Sequence, residues 1–132
     1  MEINKETKEI SYSHEKIFSH IININNYETI LKNEIKSFDK ISENEFKIKI
    51  GSMPGINLIL EKNHVDKSVR LISSDSNFNF SILISTREIS EKSSKVIVKF
   101  IGSFSSMIEM MIRKPLENFI ESLKNKIEEI SL

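Results

Sequence analysis

The sequence has no cysteine and only three glycines, and both shortages exclude classes of chemistry. Without cysteine there is no disulfide, no thiolate metal site and no cysteine nucleophile. Loops that cradle phosphates need closely spaced glycines, and neither a P-loop nor a Gly-x-Gly-x-x-Gly pattern occurs. The Gly-x-Ser-x-Gly nucleophile elbow is missing as well. Hydrolases built on that elbow, nucleotidases and dinucleotide-dependent enzymes are therefore excluded.

The chain also lacks an excess of either charge and any long apolar run. Lys and Arg together number 19, as do Asp and Glu, and the two signs are interleaved. Nucleic-acid-binding proteins usually carry a basic excess or stripe, so no nucleic acid is expected as a partner. No apolar run approaches the ~20 residues that span a bilayer, and the charged first residues do not resemble a secretory signal. We therefore expect no membrane insertion and a cytoplasmic location.

A length of 132 residues is typical of one domain. A chain of this size buries roughly two thirds of the surface that it exposes when unfolded, which is enough for a core without disulfides or metal. The sequence contains no internal repeat and no low-complexity linker. We expect a single domain over residues 1–132.

The first part of the chain predicts an edge strand followed by two short helices. Residues 2–12 are mostly polar with a few strand-forming positions, which suits an edge strand. Ser13 is a good N-cap for a helix over 14–22, and helical spacing resumes over 25–32.

From Glu34 onward the apolar residues alternate with polar ones, which is the period of half-buried strands. About six consecutive strands follow without a helix between them. Turns are predicted at 51–55, 65–68 and 91–94. Consecutive strands joined by short turns favour an antiparallel meander.

Residues 103–131 return to helical period and form the one long amphipathic segment. Its apolar stripe consists of Ile112, Leu116, Phe119, Ile120, Leu123, Ile127 and Ile130. Pro115 would cost ~3 kcal/mol inside a helix but is well tolerated at the first helical position. We therefore expect a break or kink near Arg113 and Lys114, with a shorter helix before it and a long helix from Pro115.

This order of elements indicates an α+β fold of the helix-grip type. A twisted antiparallel sheet of about six to seven strands curls, and its apolar concave face needs a cover. The long C-terminal helix supplies that cover, and the two short helices support one end of it. Because one helix does not fill all the space inside a curled sheet, we expect an apolar cavity between them.

Three stretches resemble the START-like superfamily, also called SRPBCC, which includes birch-pollen-allergen-like proteins and polyketide cyclases. They are residues 11–18 (SYSHEKIF), 51–56 (GSMPGI) and 114–119 (KPLENF). The resemblance spans nearly the whole chain, and none of these stretches is a catalytic signature. It implies a hydrophobic pocket that binds lipids, sterols, polyketides or aromatic compounds, without selecting among them.

The candidate cavity residues are those expected to face inward from the strands and from the helical segment. From the strands they are Ile48, Ile50, Leu58, Leu60, Phe78, Phe80, Ile82, Val98 and Phe100, and from the helical segment Met107, Met110, Met111 and Phe119. Methionine suits such a surface because its unbranched thioether adapts to irregular shapes. The competing interpretation is that all of these residues form an ordinary core, with the methionines filling gaps at a helix kink.

Polar candidates for chemistry are few. No metal-binding pattern joins the three histidines, His14, His20 and His64, so neither a metal nor a cofactor is predicted. Acid–base groups at a pocket mouth, or alternatively surface ion pairs, could be formed by Arg70, Asp75, Arg87 and Glu88.

Three functions fit these observations. The preferred one is binding or transport of a hydrophobic small molecule, lipid-like or aromatic, in an internal cavity, with no catalytic residue assigned. The second is a protein-interaction module or dimeric structural protein. Five apolar residues are expected to face outward on the opposite side of the sheet, where a homodimer partner could cover them. They are Ile59, Ile72, Leu83, Ile97 and Ile101. The third is a cyclase- or dehydratase-type enzyme, which needs at least two polar groups aimed at one spot in the cavity.

Overall fold

A computed structural model describes residues 1–74 and 78–132 of the chain. Its strands form one open, antiparallel, seven-stranded sheet with the order β1-β7-β6-β5-β4-β3-β2. The strands are β1 (Glu2–Glu6), β2 (Ile35–Ser42), β3 (Glu45–Ile50), β4 (Ile56–Asn63), β5 (Ser68–Ser73), β6 (Phe80–Ser90) and β7 (Ser93–Gly102). The meander of six consecutive strands and the N-terminal edge strand are thus confirmed.

Three α-helices accompany the sheet: α1 (His14–Ile21), α2 (Tyr27–Ile30) and α3 (Ser106–Glu128), with a 3-10 turn at Ile24–Asn26. Ser13 caps α1 as predicted, because its hydroxyl oxygen accepts a hydrogen bond from the backbone N–H of Lys16 at 3.2 Å. No helix in the described part of the chain is long and apolar enough to cross a membrane.

Alternation along the strands produces one apolar face. In β3 the side chains of Lys47 and Lys49 are exposed, whereas the apolar residues on either side of them are buried. The pairing registers keep buried residues opposite one another, as with Ile82 of β6 and Phe100 of β7. The core therefore lies on a single side of the sheet.

Helix α3 covers that side, as the helical spacing predicted. Its buried residues are Ile112, Leu116, Phe119, Ile120, Leu123 and Ile127. The helix contacts β7 and β1, and an ion pair of 3.2 Å between Lys5 and Glu121 links it to the edge strand. Because each fully buried side chain of this kind contributes about 1.5–3 kcal/mol, the stripe is the main attachment of the helix.

The expected division into two helices near Arg113 and Lys114 is wrong, because α3 is a single helix that continues through Pro115. Proline has no N–H, so the carbonyl of Met111 loses its helical hydrogen-bond partner. Met111 lies on an exposed part of the helix, where water can solvate that carbonyl. Burial of the stripe on both sides of Pro115 outweighs a proline penalty of about 3 kcal/mol.

Tyr27 anchors the short helices to the sheet. Its side chain is fully buried, and its ring stacks on Phe46 of β3 with a centroid distance of 5.6 Å. The Tyr27 hydroxyl donates a hydrogen bond of 2.6 Å to the backbone carbonyl of Ile21 at the end of α1. Burial raises the pKa of the Tyr27 hydroxyl, which keeps it protonated as a donor.

The substitution Tyr27→Phe should lower the free energy of unfolding by about 1–2 kcal/mol, since it leaves the buried carbonyl of Ile21 without its donor. Urea unfolding followed by circular dichroism measures this loss. Tyr12→Phe is the matched control, because the Tyr12 hydroxyl makes its hydrogen bonds at an exposed site. Equal losses in the two variants would contradict the role assigned to Tyr27.

Candidate functional site

An apolar pocket lies where the connection between β3 and β4 approaches the first half of α3. It has a volume of about 370 Å³ and opens to solvent. We call it the mouth pocket, and its lining residues are Gly51, Ser52, Met53, Pro54, Phe78, Ile108, Met111, Ile112 and Pro115. Its volume falls within the range of roughly 300–1,000 Å³ that is usual for small-molecule sites.

The turn after β3 forms one wall of the mouth pocket. Gly51 has a φ of +52°, in the left-handed region that favours glycine. The backbone N–H of Met53 donates a hydrogen bond of 2.9 Å to the carbonyl of Ile50 and closes the turn. This places the Met53 side chain inward, where it is only 7% exposed.

The described residues that line the mouth pocket include no ionisable side chain. Among these described lining residues, one side chain is polar, that of Ser52, which carries a hydroxyl group. Such a lining offers apolar surface to a ligand. It supplies neither a general acid nor a general base at that position.

A second pocket begins on the far side of Gly51 and Pro115, which line both. It has a volume of about 470 Å³ and also opens to solvent. We call it the polar pocket, and its lining residues are Asn33, Glu34, Ile35, Lys36, Ile50, Gly51, Lys114, Pro115 and Asn118.

Most of the predicted cavity residues lie in the hydrophobic core. The buried ones are Ile48, Ile50, Leu58, Leu60, Phe80, Ile82, Val98, Phe100 and Phe119. Phe78 is partly buried and lines the mouth pocket, and Ile50 lines the polar pocket. A contact between any of these residues and a ligand remains a prediction.

The three methionines do not face the sheet as expected, although Met111 does line a pocket. Met107, Met110 and Met111 are 74%, 83% and 72% exposed. Because α3 is unbroken, its sheet-facing positions continue backward from Leu116 through Ile112 to Ile108, and the methionines lie beside or opposite that line. Met111 nevertheless lines the mouth pocket from its solvent side.

Two of the four charged candidates, Arg87 and Glu88, form ion pairs on the surface. Arg87 pairs with Glu6 at 3.0 Å, and Glu88 pairs with His14 at 3.1 Å. Arg70 is exposed on a strand of the outer face. These positions agree with surface ion pairing, and Asp75 lies outside the described residues.

The other two histidines lie apart from each other. The ring of His64 packs edge-on against Phe18 with a centroid distance of 5.3 Å. Partial burial lowers the pKa of His20, which faces the end of α3 across a separate pocket.

No protein-family model and no curated protein sequence matches the chain, whereas solved structures match it over nearly its whole length. A protein of Thermus thermophilus has a TM-score of 0.76 at 15% identity, over 98% of this chain and 95% of that one. A START superfamily protein from Mycobacterium smegmatis has a TM-score of 0.69 at 14% identity, over 98% and 99%. The chain has the START-like helix-grip fold.

The structure of norcoclaurine synthase from Thalictrum flavum, in complex with dopamine and hydroxybenzaldehyde, also matches this START-like fold. The TM-score is 0.73 at 8% identity, over 100% of this chain and 88% of that one. At such identities the similarity concerns the fold, and function must be argued from the residues of the site.

The substitution Gly51→Ala should destabilise the START-like domain by about 1–2 kcal/mol, because a Cβ is strained at a φ of +52°. Urea unfolding measures the change. Gly55→Ala is the control, since its Cβ would meet only the flexible end of the Lys47 side chain. If Gly51→Ala were no less stable than Gly55→Ala, the turn would not depend on the left-handed glycine.

Proposed function

We propose that residues 1–132 form a single START-like domain that binds a hydrophobic small molecule, lipid-like or aromatic, at the mouth pocket. The observation that carries this proposal is the apolar lining between the turn after β3 and the first half of α3. Ligand burial there would remove apolar surface from water on both partners, which stabilises a complex by roughly 25 cal/mol per Å².

The side chains of the mouth pocket suit ligands of variable shape. Phe78 offers the edge or face of a partly exposed ring, and Met111 offers a flexible thioether on the opposite side. Met53 is also unbranched, so its movement would let a longer ligand reach the predicted cavity residues in the core. Binding of a ligand at this pocket would also serve its transport.

The lining supports a binder over a cyclase- or dehydratase-type enzyme. Such an enzyme needs polar groups converging on one substrate atom, and the described lining of the mouth pocket offers one hydroxyl without an ionisable neighbour in the pocket. The fold shared with norcoclaurine synthase does not change this, because one fold hosts many functions.

Apolar probe binding tests the proposal. The purified protein should bind the neutral dye N-phenyl-1-naphthylamine with a rise in fluorescence, and Met111→Gln should weaken binding about three- to tenfold by removing apolar contact. Met110→Gln is the matched control, because Met110 is also a largely exposed methionine of α3 but lies outside the pocket. An unchanged affinity in Met111→Gln, or an equal loss in both variants, would contradict the mouth pocket as the site.

A protein-interaction or dimeric role is favoured by one observation, the apolar residues of the outer sheet face. Ile59, Ile72, Leu83 and Ile97 are partly exposed there, and Ile101 is 48% exposed. Ile59 lies directly opposite Ile72 on the neighbouring strand, so the two form a continuous apolar surface.

If this face joins two copies of the chain, sedimentation equilibrium should show a mass that rises with concentration toward that of a dimer. Ile101→Lys should then restore the monomer, because a charge in an apolar interface is costly. Met110→Lys is the control, because Met110 is an exposed apolar residue of α3 and does not lie on the outer sheet face. A monomer at every concentration would remove this alternative without affecting the mouth pocket.

A further inference from the structure

The mouth pocket and the polar pocket are neighbours with different linings, and we refer to the two together as the groove. Gly51 and Pro115 line both. On one side of these two residues lie the apolar side chains of Phe78, Ile108 and Met111. On the other side the lining includes two lysines and two asparagines.

The two lysines reach the polar pocket from different elements, Lys36 from β2 and Lys114 from α3. Neither makes an ion pair within residues 1–74 and 78–132. Two other cations of α3 are paired, since Arg113 contacts Glu109 and Lys124 contacts Glu121. Lys126, like Lys114, forms no ion pair with the described residues.

Glu34 also lines the polar pocket and offsets part of this charge. Two lysines and one glutamate leave one net positive charge. The side-chain amides of Asn33 and Asn118 add neutral hydrogen-bond donors at the same end. An anionic group placed there would meet donors from the segment before β2, from β2 and from α3. It would displace no ion pair that either lysine makes with the described residues.

We infer that this groove binds an amphiphilic carboxylate, with its apolar tail in the mouth pocket and its carboxylate beside Lys36 and Lys114. The inference rests on the proposed function and adds the chemical class of the ligand. Isolated unpaired lysines are ordinary surface features and bind little. Here the two lysines line one pocket, and that pocket shares Gly51 and Pro115 with the apolar mouth pocket. A molecule with an anionic head and an apolar tail matches the two linings.

Displacement of N-phenyl-1-naphthylamine by decanoate and by 1-decanol tests the inference, because the two competitors share the tail and differ in the head. Decanoate should displace the dye at a concentration about three- to tenfold lower than 1-decanol at low ionic strength, as expected for exposed ion pairs. The preference should shrink as salt is raised, since screening weakens such pairs.

The double variant Lys36→Gln/Lys114→Gln should bind both competitors equally, while its affinity for 1-decanol stays unchanged. Lys126→Gln is the matched control, because Lys126 also lies on α3 but lines neither pocket of the groove. Circular dichroism and urea unfolding verify that each variant is folded as the original chain is.

The outcomes separate the two proposals. Dye binding with equal displacement by both competitors, or a decanoate preference that the double variant retains, overturns the carboxylate inference and leaves the proposed function standing. A decanoate preference lost equally in Lys126→Gln also overturns it, because the effect would then be one of overall charge. Failure of the folded protein to bind the dye and both competitors overturns both proposals.

Discussion

The fold depends on burying the apolar stripe of α3 against the one apolar face of the sheet. An antiparallel sheet with alternating side chains has a dry face and a wet face, and the dry face is stable only when another layer covers it. The long helix provides that layer with residues spaced at three and four positions from Ile112 to Ile127. With about 1.5–3 kcal/mol contributed by each buried side chain, this contact is comparable to the stability of a whole domain.

The mouth pocket follows from the same contact. The stripe continues toward the start of α3 through Ile108, which is only partly buried, because the helix there faces the turn after β3 instead of a strand. A turn covers less surface than a strand does, and Gly51 leaves its own position without a side chain. Apolar helix surface that the sheet does not cover thus becomes the wall of a groove, and the groove opens where the two layers separate.

The sequence predicted the layers well because their signals are periodic. The alternation in β3 and the stripe of α3 can each be read without knowing the rest of the structure. The helix break was predicted wrongly because the local cost of Pro115 is visible in the sequence, whereas the burial that outweighs it is a tertiary effect.

The site was harder to predict than the fold, for a related reason. Phe78 was expected to extend the pattern of β6, but the strand begins at Phe80 and Phe78 lines the mouth pocket instead. Met53 lies in a turn, where no period indicates whether a side chain points inward. The polar pocket combines Lys36 and Lys114, whose proximity arises only when the start of β2 and the middle of α3 meet.

Core and groove place different demands on the residues that form them. Core positions such as Leu116 and Phe100 must be apolar and of suitable volume for the domain to fold, so they carry little information about a ligand. Met111, Lys36 and Lys114 are exposed, and the stability of the fold places few limits on their chemistry. This separation explains how proteins with 8–15% identity can share the fold, as their TM-scores of 0.69–0.76 indicate. It also means that substitutions in the groove should have little effect on folding, so a proposal about the ligand class rests on the residues that the core does not need.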